Sequence, residues 1–329
     1  MIDFVVLWVD GEDKKWQEKK ESFLKSDKNS TFNGNDKNVR YRDYGTLKFF
    51  FRSVAKYAKW VHRIYLITDN QCPRWLNTQN PTVKIIDHKD FIPKEYLPVF
   101  NSNTIELNIG NIDELAENFV LFNDDMFLNK EVKAKDFFKD GIPLDYRIYT
   151  DILPKEDFNH IQMNNDILIN KFVENRWPLC SKGLFNFKYG IQWIKDIIFL
   201  MQAKKTGIPG YVEPHCPLNF KKSNFKKAQE IWPDAFVKVN NNRFRSMTDI
   251  SQWLVRHLQL ELGDFVPSAV SDRRCYNIDQ IDLIKKDLIK SKSKLLCIND
   301  QDVNNYDKLS KEVYNLLINK FPEKCEFEL

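Results

Sequence analysis

Glycine is scarce in this chain, with 10 in 329 residues, and that excludes long flexible linkers between independently moving parts. Cysteine is present but unpatterned: the six, at 72, 180, 216, 275, 297 and 325, include no C-x-x-C spacing. A zinc ribbon and a thioredoxin-like pair are therefore excluded, and the expectation is a cytosolic protein with reduced thiols. No apolar run is long enough to span a bilayer. Ile194 to Met201 is apolar but short, interrupted by Lys195 and Asp196 and closed by Gln202-Ala203-Lys204-Lys205. It reads as a helix end able to make a peripheral contact with a membrane surface. No signal peptide opens the sequence; Met1-Ile2-Asp3 leads directly into a strand. A large charge of one sign is also missing. A net charge of +4 with 29% charged residues is too mild for a nucleic-acid binder, whose basic residues cluster, though it suits an anionic substrate. There are no internal repeats and no low-complexity segments.

What is present is apolar bulk, 43% hydrophobic with 25 Phe and 12 Tyr, ample for a large core. Phe4-Val5-Val6-Leu7-Trp8-Val9 reads as a buried strand closed by Asp10-Gly11. Residues 12–38 are polar, a helix start and then a loop. Leu47, Phe50, Phe51, Val54 and Ala55 recur at helical spacing between Tyr44 and Ala58. Strands follow at 63–68, ending in Asp69, and at 83–87. Pro73 to Leu76 looks like a helix start, and 105–109 and 114–116 read as helical. Phe119 to Phe122 is a fourth strand, ending in Asn123-Asp124-Asp125. This strand–helix alternation predicts an α/β fold, a mostly parallel central sheet with flanking helices. Residues 1–129 form an α/β part, and a helical and mixed part, 130–329, completes a single unit with it. Within it, 160–206 reads as helical with a break at Trp177-Pro178. A helix around 253–258 and an amphipathic one at 306–320 follow.

Asp10, Asp69, Asp87 and Asp124 each close an apolar run, so parallel strands deliver acids to one edge, where open α/β sheets bind ligands. Asp124 and Asp125 are the most informative of these. Adjacent carboxylates repel, and a folded protein tolerates them best where a cation neutralises them. Mg²⁺, or Mn²⁺, is the natural candidate, because it takes one or two carboxylates together with substrate phosphate oxygens.

Four blocks of residues resemble the Stealth family of hexose-1-phosphate transferases. This family includes bacterial capsule and cell-surface polysaccharide enzymes and the animal enzyme that begins the mannose-6-phosphate tag. The first block is Ile2 to Gly11. The second runs from Arg40-Tyr41-Arg42-Asp43 through Tyr65 to Asp69 and Phe100 to Glu106, ending at Asn123-Asp124-Asp125. The third runs from His215-Cys216-Pro217 to Arg243-Phe244-Arg245-Ser246, and the fourth is Cys297-Ile298-Asn299-Asp300. The resemblance implies a nucleotide-sugar-transferase-like (GT-A or Rossmann-like) fold. It also implies a reaction in which a hydroxyl of a glycan acceptor, lipid-linked in some settings, takes a sugar together with its proximal phosphate from a UDP-hexose or UDP-N-acetylhexosamine. The products are a phosphodiester and UMP. A bacterial setting in the cytoplasm, at the inner face of the membrane, follows from the same likeness.

Roles follow for named residues. Asp124 and Asp125 would hold the metal, with Asn299 and Asp300 completing the metal or diphosphate shell. His215 is the best general base, since histidine titrates near neutrality. Arg245 would clamp phosphate oxygens bidentately, with Arg243 as a second candidate. Asp3, Trp8, Asp10 and Gly11 belong to the nucleotide side. Arg40, Arg42 and Asp43 precede a helix whose N-terminus favours phosphate. Asn101, Ser102, Asn103 and Glu106 offer groups suited to sugar hydroxyls, and Asn123 lies beside the acids. Each has a plainer alternative: Trp8 as core only, Arg42-Asp43 as a helix-start ion pair, and His62, His88, His160 and His257 as structural. Two other functions compete, a conventional metal-dependent glycosyltransferase that releases UDP and a non-catalytic sugar-nucleotide or glycan binding module.

Overall fold

A computed structural model gives the fold and describes residues 1–26, 41–156, 158–174 and 178–329. The strands run β1 (Ile2–Leu7), β2 (Ile64–Thr68), β3 (Val83–Asp87), β4 (Asn118–Asn123), β5 (Met126–Leu128), β6 (Phe138–Lys139) and β7 (Ile142–Asp145). They continue with β8 (Leu218–Lys221), β9 (Val266–Pro267), β10 (Arg273–Asn277) and β11 (Leu295–Asn299). The helices are α1 (Lys14–Ser26), α2 (Thr46–Tyr57), α3 (Ser102–Asn108), α4 (Asn159–Val173) and α5 (Trp193–Thr206). After them come α6 (Lys222–Ile231), α7 (Pro233–Asn240), α8 (Gln252–Glu261), α9 (Ile281–Lys290) and α10 (Tyr306–Lys320).

The central sheet has the order β3-β2-β1-β4-β8, with β8 antiparallel to β4 and the other pairings parallel. The chain therefore winds outward from β1 to β3 and returns to the other side of β1 with β4. The gap between the carboxyl ends of β1 and β4 is a topological switch point, the place where such sheets bind ligands. A second sheet, β10-β11-β5, joins the first through the two residues that separate β4 from β5. Those two residues are Asp124 and Asp125.

Period-two alternation along each strand sends neighbouring side chains to opposite faces. On one face Val5, Tyr65, Ile67, Phe119 and Leu121 pack with residues of α3, α4, α6, α7 and α8. On the other, Phe4, Val6, Leu66, Val120 and Phe122 pack with α2, α9, α10 and the second sheet. Phe122 touches both Phe4 (4.8 Å) and Phe50 of α2 (5.1 Å), so Phe122→Ala would cost about 3–5 kcal/mol and loosen the strand that carries the acids.

The fold is α/β with a mostly parallel central sheet, as the alternation of apolar runs predicts. Two local expectations are corrected. Pro73 to Leu76 is a turn rather than a helix start, because Leu76 pairs in a β-bridge with Glu328. Residues 114–116 are also non-helical: Leu115 is buried in the core, and the Ala116 N–H is spent on the Asp3 carboxylate.

Candidate active site

The sheet topology brings the carboxyl ends of β1, β2, β3 and β4 to one edge, and with them Asp10, Asp69, Asp87 and Asp124. Asp124 and Asp125 occupy the corner between the two sheets. The Ile298 N–H on β11 donates to the Asp125 carbonyl (3.0 Å), fixing the corner from the second sheet. The Cys297 thiol, also on β11, donates to Asp125 Oδ2 (3.4 Å). His215, just before β8, sets Nε2 4.0 Å from the same oxygen. Folding thus closes a gap of 90 residues between the acid pair and the histidine. Asp125, His215 and Cys297 each bring one donor atom to within 4.8 Å of the others.

The electrostatics of this corner are unbalanced. Burial, then the charges of Asp125, Asp43 and Asp300, pushes the Asp124 carboxyl far above the ordinary carboxylate range. Burial raises Asp125 as well, opposed by His215 and by the Cys297 hydrogen bond. Asp300 is raised too, by burial, against the pull of Arg42. Asp125 Oδ1 is buried with no hydrogen-bond partner in the protein.

The flanking residues are positioned by their own partners. Trp8 Nε1 donates to Asp43 Oδ2 (2.7 Å), and Asp43 Oδ1 accepts the Gly45 N–H (2.6 Å) at the start of α2. Trp8 is therefore more than core filling: it aims Asp43 toward the acids. Arg42 pairs not with its neighbour Asp43 but bidentately with Asp300 (3.0 Å for each bond), and its guanidinium lies 3.6 Å over the Tyr306 ring. Asn123 ends β4 opposite Leu7, and Asn299 ends β11 immediately before Asp300.

Arg245 sits elsewhere on the rim. Its Nη2 donates to Ser102 Oγ (3.0 Å) at the start of α3, and its Nη1 is buried without a partner. Arg243 lies 5.4 Å over the Phe23 ring, with a buried, unpartnered Nε. Between them Phe244 stacks on Phe100 (5.2 Å, 12°). The two arginines and Ser102 thus form a cationic wall, whereas His215 stands with the acids. Glu106, inside α3, is lifted by burial to about 8, so it is protonated at neutral pH and can donate as well as accept.

Several expectations are corrected. Asp3 lies near the start of β1, about 13 Å along the strand from Leu7. Its two oxygens take His62 Nδ1 (2.7 Å) and the Ala116 N–H (2.7 Å), so it is a structural clasp at the wrong end of the sheet for a ligand. Gly11 is required by the chain itself, since a Cβ there would lie 1.9 Å from the Tyr41 carbonyl oxygen. Asn101 and Asn103 are buried, and their Nδ2 groups donate to Asp249 Oδ2 (3.0 and 3.1 Å), so they are framework rather than sugar contacts. Asp69 is neutralised by Lys19 (2.7 Å), and Asp87 caps a short 3-10 turn. Asp10 turns its backbone to Gln71 and accepts the Glu12 N–H with Oδ1 (3.0 Å). His88 is buried and pushed down to about 4, which makes it a poor base. Arg40 lies outside the described residues.

Three contributors escaped the sequence reading. Asp249 is buried and accepts from Asn101, Asn103, Asn242 and the Ser246 N–H, pinning the Arg243–Arg245 loop to α3. Its signal in the sequence is weak, a lone Asp three residues past Ser246. Cys297 hid inside an apolar run, and Lys19 in a polar helix.

The carboxylates of this corner suit a divalent cation, although the thiol and imidazole beside them are softer donors. Asp124 and Asp125 offer carboxylate oxygens, one of them buried and unpartnered, and Asp43 and Asp300 add negative charge close by. Mg²⁺ and Mn²⁺ take such oxygen ligands.

Comparison with known proteins gives the family. Stealth protein conserved region 1 matches residues 2–28, conserved region 2 matches 40–144 and conserved region 3 matches 214–257. The exopolysaccharide phosphotransferase cps2G of Lactiplantibacillus plantarum is 44% identical over 333 residues, covering 99% of this chain and 96% of that protein. The capsular polysaccharide phosphotransferase WcwK of Streptococcus pneumoniae is 38% identical over 333 residues, covering 99% and 98%. The receptor polysaccharide phosphotransferase WefC of Streptococcus gordonii is 34% identical over 339 residues, covering 100% and 99%. Among solved structures, the galactosyltransferase LgtC bound to donor and acceptor sugar analogues matches with a TM-score of 0.42 at 9% identity, covering 98% of each chain. With three conserved regions in order and full-length relatives above 30% identity, this chain belongs to the Stealth family.

Proposed function

We propose that the protein is a sugar-1-phosphate transferase of surface-polysaccharide synthesis. It takes a hexose-1-phosphate or N-acetylhexosamine-1-phosphate from a UDP-sugar and passes it to a hydroxyl of a glycan acceptor, carried on lipid where the glycan is built at a membrane. The names of the full-length relatives support phosphotransfer in polysaccharide assembly. The observation that carries the reading is the corner at the switch point, where His215 stands 4.0 Å from Asp125 beside Asp124. An acid pair in need of a cation and a base at its side are what attack on a diphosphate requires.

A divalent cation held by Asp124 and Asp125, with Asn299 and Asp300 alongside, would neutralise charge on the diphosphate. His215 Nε2 accepts the proton of the acceptor hydroxyl. That oxygen attacks the phosphorus bearing the sugar, the bond from this phosphorus to the bridging oxygen breaks, and UMP leaves with the bridging oxygen. Arg245 and Arg243 hold phosphate oxygens from the α3 side, Arg245 with its free Nη1. Trp8, Asp10, Asp43 and Arg42 line the nucleotide side. Ser102, Glu106 and Asn123 face the transferred sugar. Residues 1–129 and 130–329 act as one catalytic unit.

The test is incubation with Mg²⁺, a panel of UDP-sugars and a glycan acceptor, with the nucleotide product identified. UMP together with a phosphodiester-linked product is expected. UDP would assign a conventional glycosyltransferase, and tight sugar-nucleotide binding without any product would assign a binding module.

A further inference from the structure

The segment from Ser181 to Phe199 breaks the pattern of a surface helix. Such helices turn polar residues to water and keep an apolar stripe for the core. Here the 3-10 turn Phe187–Gln192 leads into α5, and the inner side is apolar as expected, with Tyr189 and Phe199 buried. The outer side is apolar as well. Phe187 is 80% exposed, Ile191 81% and Ile198 61%, with Ile194 and Ile197 exposed between them. Positions 191, 194 and 198 share one stripe of a helix. Gly190, at φ 62 and ψ −149, supplies the kink between Phe187 and Ile191. Phe187 meets Trp193 edge-on (5.4 Å), which holds an aromatic pair at the surface.

The exposed charge of this segment is one-signed, and Asp136 and Asp272, which line a pocket with Lys188, are paired with Lys294. The segment's exposed ionisable residues are Lys182, Lys188 and Lys195. The one acid in the segment, Asp196, is buried, and its Oδ1 accepts the Tyr149 N–H (3.3 Å). Lys182 and Lys188 reach the carbonyl oxygens of Gly263 (2.9 Å) and Pro267 (3.1 Å), contacts that orient them without neutralising them.

We propose that this face docks on an anionic lipid bilayer, with Phe187, Ile191, Ile194 and Ile198 in the headgroup layer and Lys188 and Lys195 at lipid phosphates. Exposed large apolar side chains rimmed by lysine, with no exposed acid in the segment, suit the interface of an anionic bilayer. No helix among the described residues is long and apolar enough to cross a membrane, so α5 would lie along the surface. A second copy fits this face less well, because a two-fold contact opposes the same lysine-bearing patch to itself, with no exposed acid of the segment to pair the lysines. The inference deepens the proposed function, in that it seats the enzyme where a lipid-carried acceptor is presented.

The experiment is co-sedimentation of the full chain with vesicles of phosphatidylcholine alone and of phosphatidylcholine mixed with phosphatidylglycerol. The wild type is expected to pellet with the mixed vesicles, at least about tenfold more weakly with the neutral ones, and to be released by salt. Ile191→Asn with Ile198→Asn should weaken binding by roughly tenfold or more, and Lys188→Gln with Lys195→Gln by about tenfold. All four positions are exposed, so thermal unfolding should match the wild type, and UMP release with a water-soluble acceptor should not change. Wild-type protein that stays in the supernatant with both vesicles overturns the proposal, as do variants that bind as well as wild type. A dimer in light scattering that the isoleucine variants dissociate also overturns it, by assigning the face to a second copy. Vesicle binding without UMP formation leaves this inference standing and removes the proposed function; UMP formation without vesicle binding does the reverse.

Discussion

Two regions of this molecule bury charge, and they do so differently. Behind the central sheet, Arg256 holds Asp145 with Nε (2.8 Å) and Nη2 (3.0 Å) and Glu213 with Nη1 (3.0 Å), and Glu213 also binds His257. Nearby, Arg147 pairs with Glu261 (2.6 Å), which also accepts from Tyr149 and Tyr211 (2.8 Å each). Asp145, Glu213 and Glu261 each have a guanidinium; Asp166, 3.5 Å from His257, has none, and burial lifts it to about 7. At the corner between the sheets, Asp124 and Asp125 lie half-buried side by side, with Asp43 and Asp300 close by and a histidine at 4.0 Å. The first, in its arginine pairs, is complete as folded, and breaking such a pair leaves an uncompensated charge. The second is incomplete as folded, and a cation with a polyanionic substrate would complete it. The two should therefore separate stability from activity under mutation.

The largest effect is expected at the corner. His215→Ala should lower turnover by roughly 10²–10⁴, the usual worth of general acid–base catalysis, while calorimetric binding of the UDP-sugar persists. Asp125→Asn should also abolish UMP release, yet leave the unfolding midpoint unchanged or higher, because it removes one of two carboxylates that burial and repulsion disfavour. The core cluster should give the opposite result. Arg256→Leu should cost about 3–5 kcal/mol in denaturant unfolding by stranding Asp145 and Glu213. If Asp125→Asn destabilises as much as Arg256→Leu, the contrast between the two regions fails.

A pH series sharpens the same contrast. Glu106 titrates near 8 in the folded protein against an ordinary value of 4.5. Below the ordinary value both states hold the proton, and folding is indifferent to it. Between the two values the unfolded chain ionises while the folded chain does not, so this residue makes stability fall as pH rises, by up to about 1.4 kcal/mol per pH unit. Glu106→Gln should flatten that decline in chemical denaturation measured across the window; an unchanged slope would place the proton elsewhere.

The smallest effect concerns the loop of Arg243 and Arg245. Asp249→Asn should keep the chain folded but loosen this loop from α3, weakening UDP-sugar binding more than it slows turnover at saturation. Loss of turnover with unchanged binding would give Asp249 a different role.

The parallel sheet and its acidic edge were legible in the sequence because each is written locally: a β-branched or aromatic run that ends in Asp. The partnership of His215 with the acid pair was legible only through resemblance to a family, since nothing local connects positions 90 residues apart. The second sheet was hidden by its short members, of which Met126–Leu128 is a three-residue strand. Asp3 was misread because a carboxylate at a strand's start looks the same whether it binds a ligand or clasps a loop. Asn101 and Asn103 were misread because the acceptor they serve, Asp249, lies in another block. Polar residues declare their chemistry in a sequence, but not whether that chemistry is already used by the fold.

The central claim is that the unpaired acids exist to hold a cation against a sugar diphosphate. Its most direct test is UMP release by metal-stripped protein supplied with a UDP-sugar and acceptor, in EDTA and then with Mg²⁺ or Mn²⁺ restored. No UMP is expected in EDTA, with full recovery on adding either ion and no recovery in Asp125→Asn. Full UMP release in EDTA would contradict the claim.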